Sequence, residues 1–281
     1  MSVKYKIKVG IIGGSGLDDP SHQLLKSCHI IKRESVETDF GLPSSNLFQG
    51  TIAGVDCILL SRHGVGQIIN PTGVNYRANI EALRSVGCTH IIATTACGSL
   101  IESIDRGNLV IPDSFIDRTI HRKGTLYDGT SRKYQGICHI PMEPSFDPDV
   151  ANIFESAAKD LGIMIRKGGT VVTIEGPRYS SKAESNVFRS WGGHLINMSI
   201  CPEVYLAKEA GILYGAIALA TDYDCWHESE QVVCASDVLV VFKKNLSRLI
   251  EIILKSVELI GQKNWDQQID NLKQIIKNNT I

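Results

Sequence analysis

Ile212-Leu213-Tyr214-Gly215-Ala216-Ile217-Ala218-Leu219-Ala220 runs straight into Thr221-Asp222-Tyr223-Asp224-Cys225-Trp226. An apolar run of this length reads as a strand buried on both faces, the kind found in sheets covered by helices on both sides. At its end come two acids two residues apart. Side chains alternate along a strand, so Asp222 and Asp224 leave on the same side, about 7 Å apart. Carboxyl groups converging at the end of a core strand need partners, and a flat ring bearing a ring nitrogen beside an exocyclic amine would supply two. A local reading stands beside this one: a strand end followed by an Asx-type turn, where Asp is common. The stretch by itself leaves both open.

Outward from it, short β-rich runs recur at 7–12, 55–61, 90–95, 108–111, 170–174 and 194–198, with helix-like stretches at 73–86, 149–161, 182–191 and 202–210. Strands alternating with helices predict an α/β fold, a single domain over 1–281 with a central mixed β-sheet flanked by helices. The run 41–60 has no helix before its strand, which predicts an antiparallel part. From 237 to 260 apolar residues keep a helical period, with Ser236 as the expected N-cap. This helix and a more polar one over 264–278 are expected to pack on the sheet.

The chain has 281 residues, 43% hydrophobic and 21% charged, with a formal net charge of −1. No global field draws it to nucleic acid or to an anionic membrane, so any anion must be captured locally. Its 8 cysteines include no CxxC pair, and several sit in apolar runs, as Cys57 does. That pattern suits buried thiols in a reducing compartment better than a disulfide frame or a zinc site. No apolar signal core opens the sequence and no run is long enough to span a bilayer. A cytoplasmic location, without membrane or nucleic-acid partners, is the expectation.

Gly13-Gly14-Ser15-Gly16 follows the first strand directly. Glycines there let backbone N–H groups approach an anion, and Ser15 adds a hydroxyl; a plain glycine turn would look the same. A dinucleotide fingerprint fails, because position 19 is Asp, and no Gly-Lys-Ser/Thr of a P-loop is present. Arg62-His63-Gly64 ends the strand 55–61, where a guanidinium suits phosphate or carboxylate, or equally a surface salt bridge. Thr94-Thr95-Ala96-Cys97-Gly98-Ser99 closes a third strand with small residues and hydroxyls. Three strands ending in donor-rich turns favour an oxyanion site at the strand carboxyl ends. Glu175-Gly176-Pro177-Arg178-Tyr179 and Ile196-Asn197-Met198-Ser199 end two more strands; Met198 and Tyr179 read equally well as core residues or as ligand contacts.

Taken with Asn-Tyr-Arg-Ala-Asn-Ile (75–80), Phe-Ile-Asp-Arg-Thr (115–119) and Thr-Ile-Glu-Gly-Pro-Arg (173–178), these strings resemble the trimeric purine nucleoside phosphorylase superfamily. They are most similar to its 5′-deoxy-5′-methylthioadenosine phosphorylase branch, from about residue 7 to 275. The resemblance implies a nucleoside phosphorylase-like fold and phosphorolysis of methylthioadenosine to adenine and 5-methylthioribose 1-phosphate. It implies a homotrimer in cytoplasm and nucleus, no metal or organic cofactor, and inorganic phosphate as co-substrate. By motif position, Ser15, Arg62, His63, Thr95, Ala96 and Ser199 would hold phosphate, while Met198 and Tyr179 lie against the nucleoside. Asp222 and Asp224 would read adenine and serve as the catalytic pair, Asp222 donating a proton near N7 if its apolar strand keeps it protonated. Ser180 and Ala235 fall at positions tied to substrate choice. Ala235, Val238 and Leu239 would line the 5′ pocket, with His139 arriving from a neighbouring subunit.

The chain departs from the branch at several of these positions. Gln67 stands where a second His is common; it hydrogen-bonds but carries no charge. Ser15 and Ser199 replace Thr and keep the hydroxyl, Tyr179 replaces Phe, and Ala235 is smaller than Val. These changes leave the reaction class in place and loosen the expected 5′ specificity, so a nucleoside phosphorylase acting more broadly on adenosine or 6-oxopurine nucleosides is the alternative.

Overall fold

The computed structural model describes residues 4–14, 32–34, 36–228 and 233–281, the side chains of 32–34 excepted. Among them, strands β1 (Lys8–Gly13), β2 (Lys32–Glu34), β3 (Leu47–Ile52), β4 (Val55–Ser61), β5 (His90–Ser99) and β6 (Leu109–Ile111) belong to one sheet. It continues through β7 (Ser114–Arg118), β8 (Ile165–Lys167), β9 (Thr170–Ile174), β10 (Leu195–Asn197) and β11 (Leu213–Asp222). The helices are α1 (Tyr76–Ser85), α2 (Pro148–Asp160), α3 (Lys182–Ser190), α4 (Ile200–Glu209), α5 (Ala235–Gln262) and α6 (Asp266–Asn278).

The sheet is mixed and its hub is β5. The first half of β5 pairs in parallel with β1, its end pairs antiparallel with β10, and its other edge runs parallel to β11 along nearly its whole length. The antiparallel part expected within 41–60 is the β3–β4 hairpin, with Phe48 opposite Leu59. Its two-residue turn, Ala53-Gly54, holds φ at 48° and 80°, both in the left-handed region that twists a tight hairpin correctly.

The segment 94–99 is not a turn after a strand ending at 95, because β5 continues to Ser99. Small side chains from Ala96 to Gly98 let it stay paired with Leu219, Ala220 and Asp222 on one edge, while Gly98 pairs with Ile196 on the other.

Period-two alternation sends each strand's apolar residues to two cores. Val9, Ile11, Cys57 and Leu59 face one, shared with Phe154, Leu249, Ile253, Val257 and Trp265 of the α2–α5–α6 side. Ile12, Ile58 and Leu60 face the other, under Ile80 and Leu83 of α1 and Val204 and Ala207 of α4. The C-terminal helices thus cover one face of the sheet, as their periodicity predicts. Ser236 is not the N-cap of α5: the helix begins at Ala235, and Cys234 holds the cap position without a side-chain cap bond. Four of the described cysteines, Cys57, Cys88, Cys97 and Cys201, are buried, and none of those described forms a disulfide; Cys225 is half-buried and Cys234 exposed. No helix among the described residues is long and apolar enough to cross a membrane.

Candidate active site

Side chains from the ends of β4, β10 and β11 and from the last half of β5 meet around one cavity of about 300 Å³. Arg62 and His63 enter it after β4, Thr95, Ala96, Cys97 and Gly98 from β5, and Asn197, Met198 and Ser199 from the end of β10. Asp222 and Asp224 close one end, with Tyr179, Ser180 and Val238 at the wall.

At the other end lies a donor-rich corner. Arg62 is 1% exposed, yet its side chain still lines the cavity. Its Nε and Nη2 donate to Glu203 Oε2 and Oε1 at 2.6 and 2.8 Å, and Nη1 donates to the Thr94 carbonyl at 2.9 Å. Burial pulls against the charged guanidinium, but Glu203 outweighs it, so Arg62 holds its proton more tightly than a free arginine. A guanidinium has five N–H bonds; three are used, and one remains on each terminal nitrogen. Thr95 Oγ1 and Ser199 Oγ sit 3.0 Å apart. Asn197 Nδ2 donates to Thr95 Oγ1 at 3.0 Å, and Asn197 Oδ1 accepts from Thr173 Oγ1 at 2.9 Å. This buried relay fixes the two cavity hydroxyls. His63 Nδ1 lies 2.9 Å from the Ile69 carbonyl, an alignment that orients the ring. Gly14 also lines the cavity, and a Cβ there would stand 3.0 Å from Arg62 Nη1.

The acid end is built differently from a continuing strand. β11 stops at Asp222 after a register shift beyond Ala220, and Asp224 opens a 3-10 turn, Asp224–Trp226, with φ of 43°. Asp222 Oδ1 accepts the Asp224 N–H at 2.9 Å and Oδ2 accepts the Thr221 hydroxyl at 2.8 Å. Asp224 is 4% exposed. Burial, with the nearby Asp222 charge adding to it, raises its carboxyl above the ordinary range; Ser185 and Ser180 pull the other way. Neither hydroxyl makes a well-formed bond with it: Asp224 Oδ2, Ser180 Oγ and Ser185 Oγ are all buried without a hydrogen-bond partner. Three orphaned polar atoms beside a cavity mark a place shaped for a polar ligand. Burial therefore biases the Asp224 carboxyl toward its protonated form.

The cavity thus gathers Arg62, His63, Thr95, Ala96, Ser199, Met198, Tyr179, Ser180, Asp222, Asp224 and Val238 of the sequence-derived set. Ser15 lies outside the described residues. Ala235 and Leu239 are exposed on the first turns of α5 and do not line the cavity. His139 is also away from it; its N–H pairs with the Asn279 carbonyl, so its loop is joined to the chain's own C-terminal end. Glu203 and the Asn197–Thr173 relay were missed. Glu203 had left a trace: a lone acid in the apolar stretch Ile200-Cys201-Pro202-Glu203-Val204 implies a buried cationic partner.

The fold that carries this strand-end cavity is shared with known proteins. Residues 8–258 match the family model of the phosphorylase superfamily, and the chain belongs to that superfamily. More narrowly, it is 52% identical over 275 residues to the S-methyl-5′-thioadenosine phosphorylase of Drosophila melanogaster, covering 98% of this chain and 93% of the relative. Its backbone superposes on methylthioadenosine phosphorylase from Schistosoma mansoni in complex with adenine with a TM-score of 0.92, at 39% identity over 98% and 99% of the two chains. A substituted adenosine/methylthioadenosine phosphorylase from the same organism, in complex with methylthioadenosine, gives 0.91 at 38% identity over 98% and 99%.

Proposed function

We infer that this chain is an S-methyl-5′-thioadenosine phosphorylase, converting methylthioadenosine and inorganic phosphate to adenine and 5-methylthioribose 1-phosphate. The observation that carries this reading is the single cavity with the Arg62–Thr95–Ser199 corner at one end and the Asp222–Asp224 turn at the other. Phosphate held at the first corner is presented to C1′ of a ribose whose base lies at the second. As a phosphate oxygen bonds to C1′, the C1′–N9 bond breaks and its electron pair passes to the purine, which takes a proton at N7. Placing both reactants in one cavity replaces a bimolecular encounter by a positioned one.

The acids divide the work. Asp222, already accepting two hydrogen bonds, suits an acceptor for the 6-amino group, and Asp224, whose carboxyl burial raises above the ordinary range, is the proton source. Met198 packs under the sugar, held by Gly176: a Cβ there would stand 2.5 Å from Met198 Sδ. Arg62 and the hydroxyls supply the charge and donors that phosphate needs, so this reading calls for no metal or organic cofactor.

A homotrimer completes the site. Exposed apolar side chains at Ile137, Tyr179 and Leu239, 56%, 40% and 37% accessible, support burial against another copy, which would bring His139 to a neighbouring 5′ pocket. The buried thiols suit a reducing, cytoplasmic or nuclear, setting.

A phosphate-dependent assay with methylthioadenosine, adenosine and inosine tests the reading. Methylthioadenosine should be cleaved best, only when phosphate is present, and equally well after chelation with EDTA. Preference for inosine, or cleavage without phosphate, would overturn it.

A further inference from the structure

Arg62 reaches the cavity from a site that is otherwise sealed, and what aims it is a second buried layer. Glu203 is 0% and Tyr214 3% exposed, and neither lines the cavity. Glu203 grips Arg62 through Nε and Nη2 at 2.6 and 2.8 Å, and Tyr214 donates its hydroxyl to Glu203 Oε1 at 2.8 Å. The Thr94 carbonyl takes a hydrogen from Nη1 at 2.9 Å. These contacts come from α4, β11 and β5, three separately anchored elements, so the guanidinium plane is fixed from several directions. Rotation about Cδ–Nε would break the bidentate pair, whose planar geometry is what makes it directional.

Such a clamp does more than neutralise a charge. A buried ion pair is often no more stable than apolar side chains of the same volume, so its presence needs another reason. Here that reason is geometric: one N–H on each of Nη1 and Nη2 is left over for the cavity. We propose that Glu203, held in turn by the Tyr214 hydroxyl, is a positioning residue that presents those two N–H groups of Arg62 to phosphate.

The proposal rests on phosphate binding at Arg62, and the test separates the two. Phosphate and nucleoside saturation are measured for Glu203→Gln, Glu203→Asp, Tyr214→Phe and Arg62→Lys, each with its melting temperature. Glu203→Gln keeps the shape but turns one acceptor into a donor facing the guanidinium. Its KM for phosphate should rise about tenfold or more, with a much smaller change in kcat and in the KM for nucleoside. Glu203→Asp, which keeps the charge, should recover part of that loss. Tyr214→Phe removes one hydroxyl and should raise the KM for phosphate about threefold, and it decides the matter if Glu203→Gln does not fold. Arg62→Lys should weaken phosphate in any case. If it does so while the Glu203 and Tyr214 variants lose only melting temperature, the clamp is merely structural and the proposal fails. If Arg62→Lys leaves phosphate saturation unchanged, the phosphate reading itself fails.

Discussion

The N–H of Asp224 donates to Oδ1 of Asp222 at 2.9 Å. This is the bond of an Asx turn, and it is also what brings both acids to the cavity. The Asx-type turn of the local reading is thus present, and both acids of that turn line the cavity. The turn ends β11, forces Asp224 to a φ of 43°, and places its carboxyl beside the unpartnered hydroxyls of Ser180 and Ser185. Left-handed backbone at a non-glycine residue carries strain that the surrounding packing must sustain. Here that packing is the buried Trp226, whose Nε1 donates to the Ser99 carbonyl at 2.8 Å.

Gly98 should be irreplaceable at this turn. A Cβ there would lie 2.9 Å from both Asp222 Oδ1 and Ile196 Cγ2, and 3.3 Å from Asp224 Cβ. β5 cannot retreat, since it is paired on both edges at this point. Gly98→Ala should displace the Asp222 carboxylate, raise the KM for nucleoside at least several-fold, and cost about 1–3 kcal/mol of stability by overpacking. The KM for phosphate should change little. Steady-state kinetics with each substrate varied in turn, beside urea unfolding, checks this; an unaltered nucleoside KM would show that the acids do not contact the base.

Arg62→Ala should fail by unfolding before it fails by losing phosphate. The sequence leaves Arg62 open between an oxyanion ligand and a surface salt bridge. In the structure its loss leaves Glu203, which is fully buried when Arg62 is in place, without its cation. Breaking a buried pair from one side costs roughly 3–5 kcal/mol. At about 2–4 °C per kcal/mol the midpoint should fall on the order of 10 °C. Differential scanning calorimetry measures it directly. A melting temperature within a degree or two of the parent would mean that Glu203 finds water or another partner.

How much of this was legible in the chain follows from what each feature depends on. Strands with long apolar runs, and the helix over 237–260, announce themselves because periodicity and burial are local properties. β8 has only three residues and β7 no fully buried one, so neither leaves a pattern to read. Arg62, Thr95 and the acids stood out because polar residues at strand ends break an apolar pattern, whereas Ser199 was singled out only by its motif position in the resemblance. Glu203 and Asn197 are polar too, but their meaning lies in partners far off in sequence, Arg62 and Thr95. The continuation of β5 past residue 95 was hidden for the same reason, since only the strands beside it tell a turn of small residues from an edge made to admit a neighbour's side chain.

His90 should set part of the acid sensitivity of the fold. It is fully buried against Trp265, with ring centroids 4.5 Å apart, Nδ1 beside the Thr89 hydroxyl at 2.8 Å and Nε2 without a partner. Burial, reinforced by the Lys263 charge, pushes its pKa down to about 3. The unfolded chain takes up this proton near pH 6.5 and the folded chain does not, so stability is lost as pH falls from about 6.5 toward 3, and is unaffected above. The slope is about 1.4 kcal/mol per pH unit for one proton. His90→Phe keeps an aromatic ring against Trp265 and removes the titration. Urea midpoints taken between pH 7 and 4 should therefore fall less steeply for the variant; parallel curves would mean that His90 gains its proton without unfolding.

Base selectivity gives the sharpest test of the acid turn. Methylthioadenosine presents a 6-amino donor beside the N7 acceptor, whereas inosine presents a 6-oxo acceptor. An ionised Asp222 accepts from the amine, but it meets a 6-oxo group acceptor to acceptor, and a buried polar group left unpaired costs roughly 1–3 kcal/mol. At about 1.4 kcal/mol per tenfold, that disfavours inosine by about ten- to a hundredfold. The surroundings allow the charge to be removed without breaking the turn. In Asp222→Asn the amide oxygen keeps the Asp224 N–H, now at 2.9 Å from Oδ1. Its NH2 then faces Thr221 Oγ1, which can turn its own hydrogen to the Cys97 carbonyl 3.2 Å away. The variant should fold, lose most of its activity on methylthioadenosine, and narrow or reverse the preference over inosine, because the new amide donates where the carboxylate accepted. The measurement is kcat/KM for both nucleosides at saturating phosphate, in wild type and variant. Equal turnover of the two by the wild type, or an unchanged ratio in a folded variant, would remove Asp222 from base recognition.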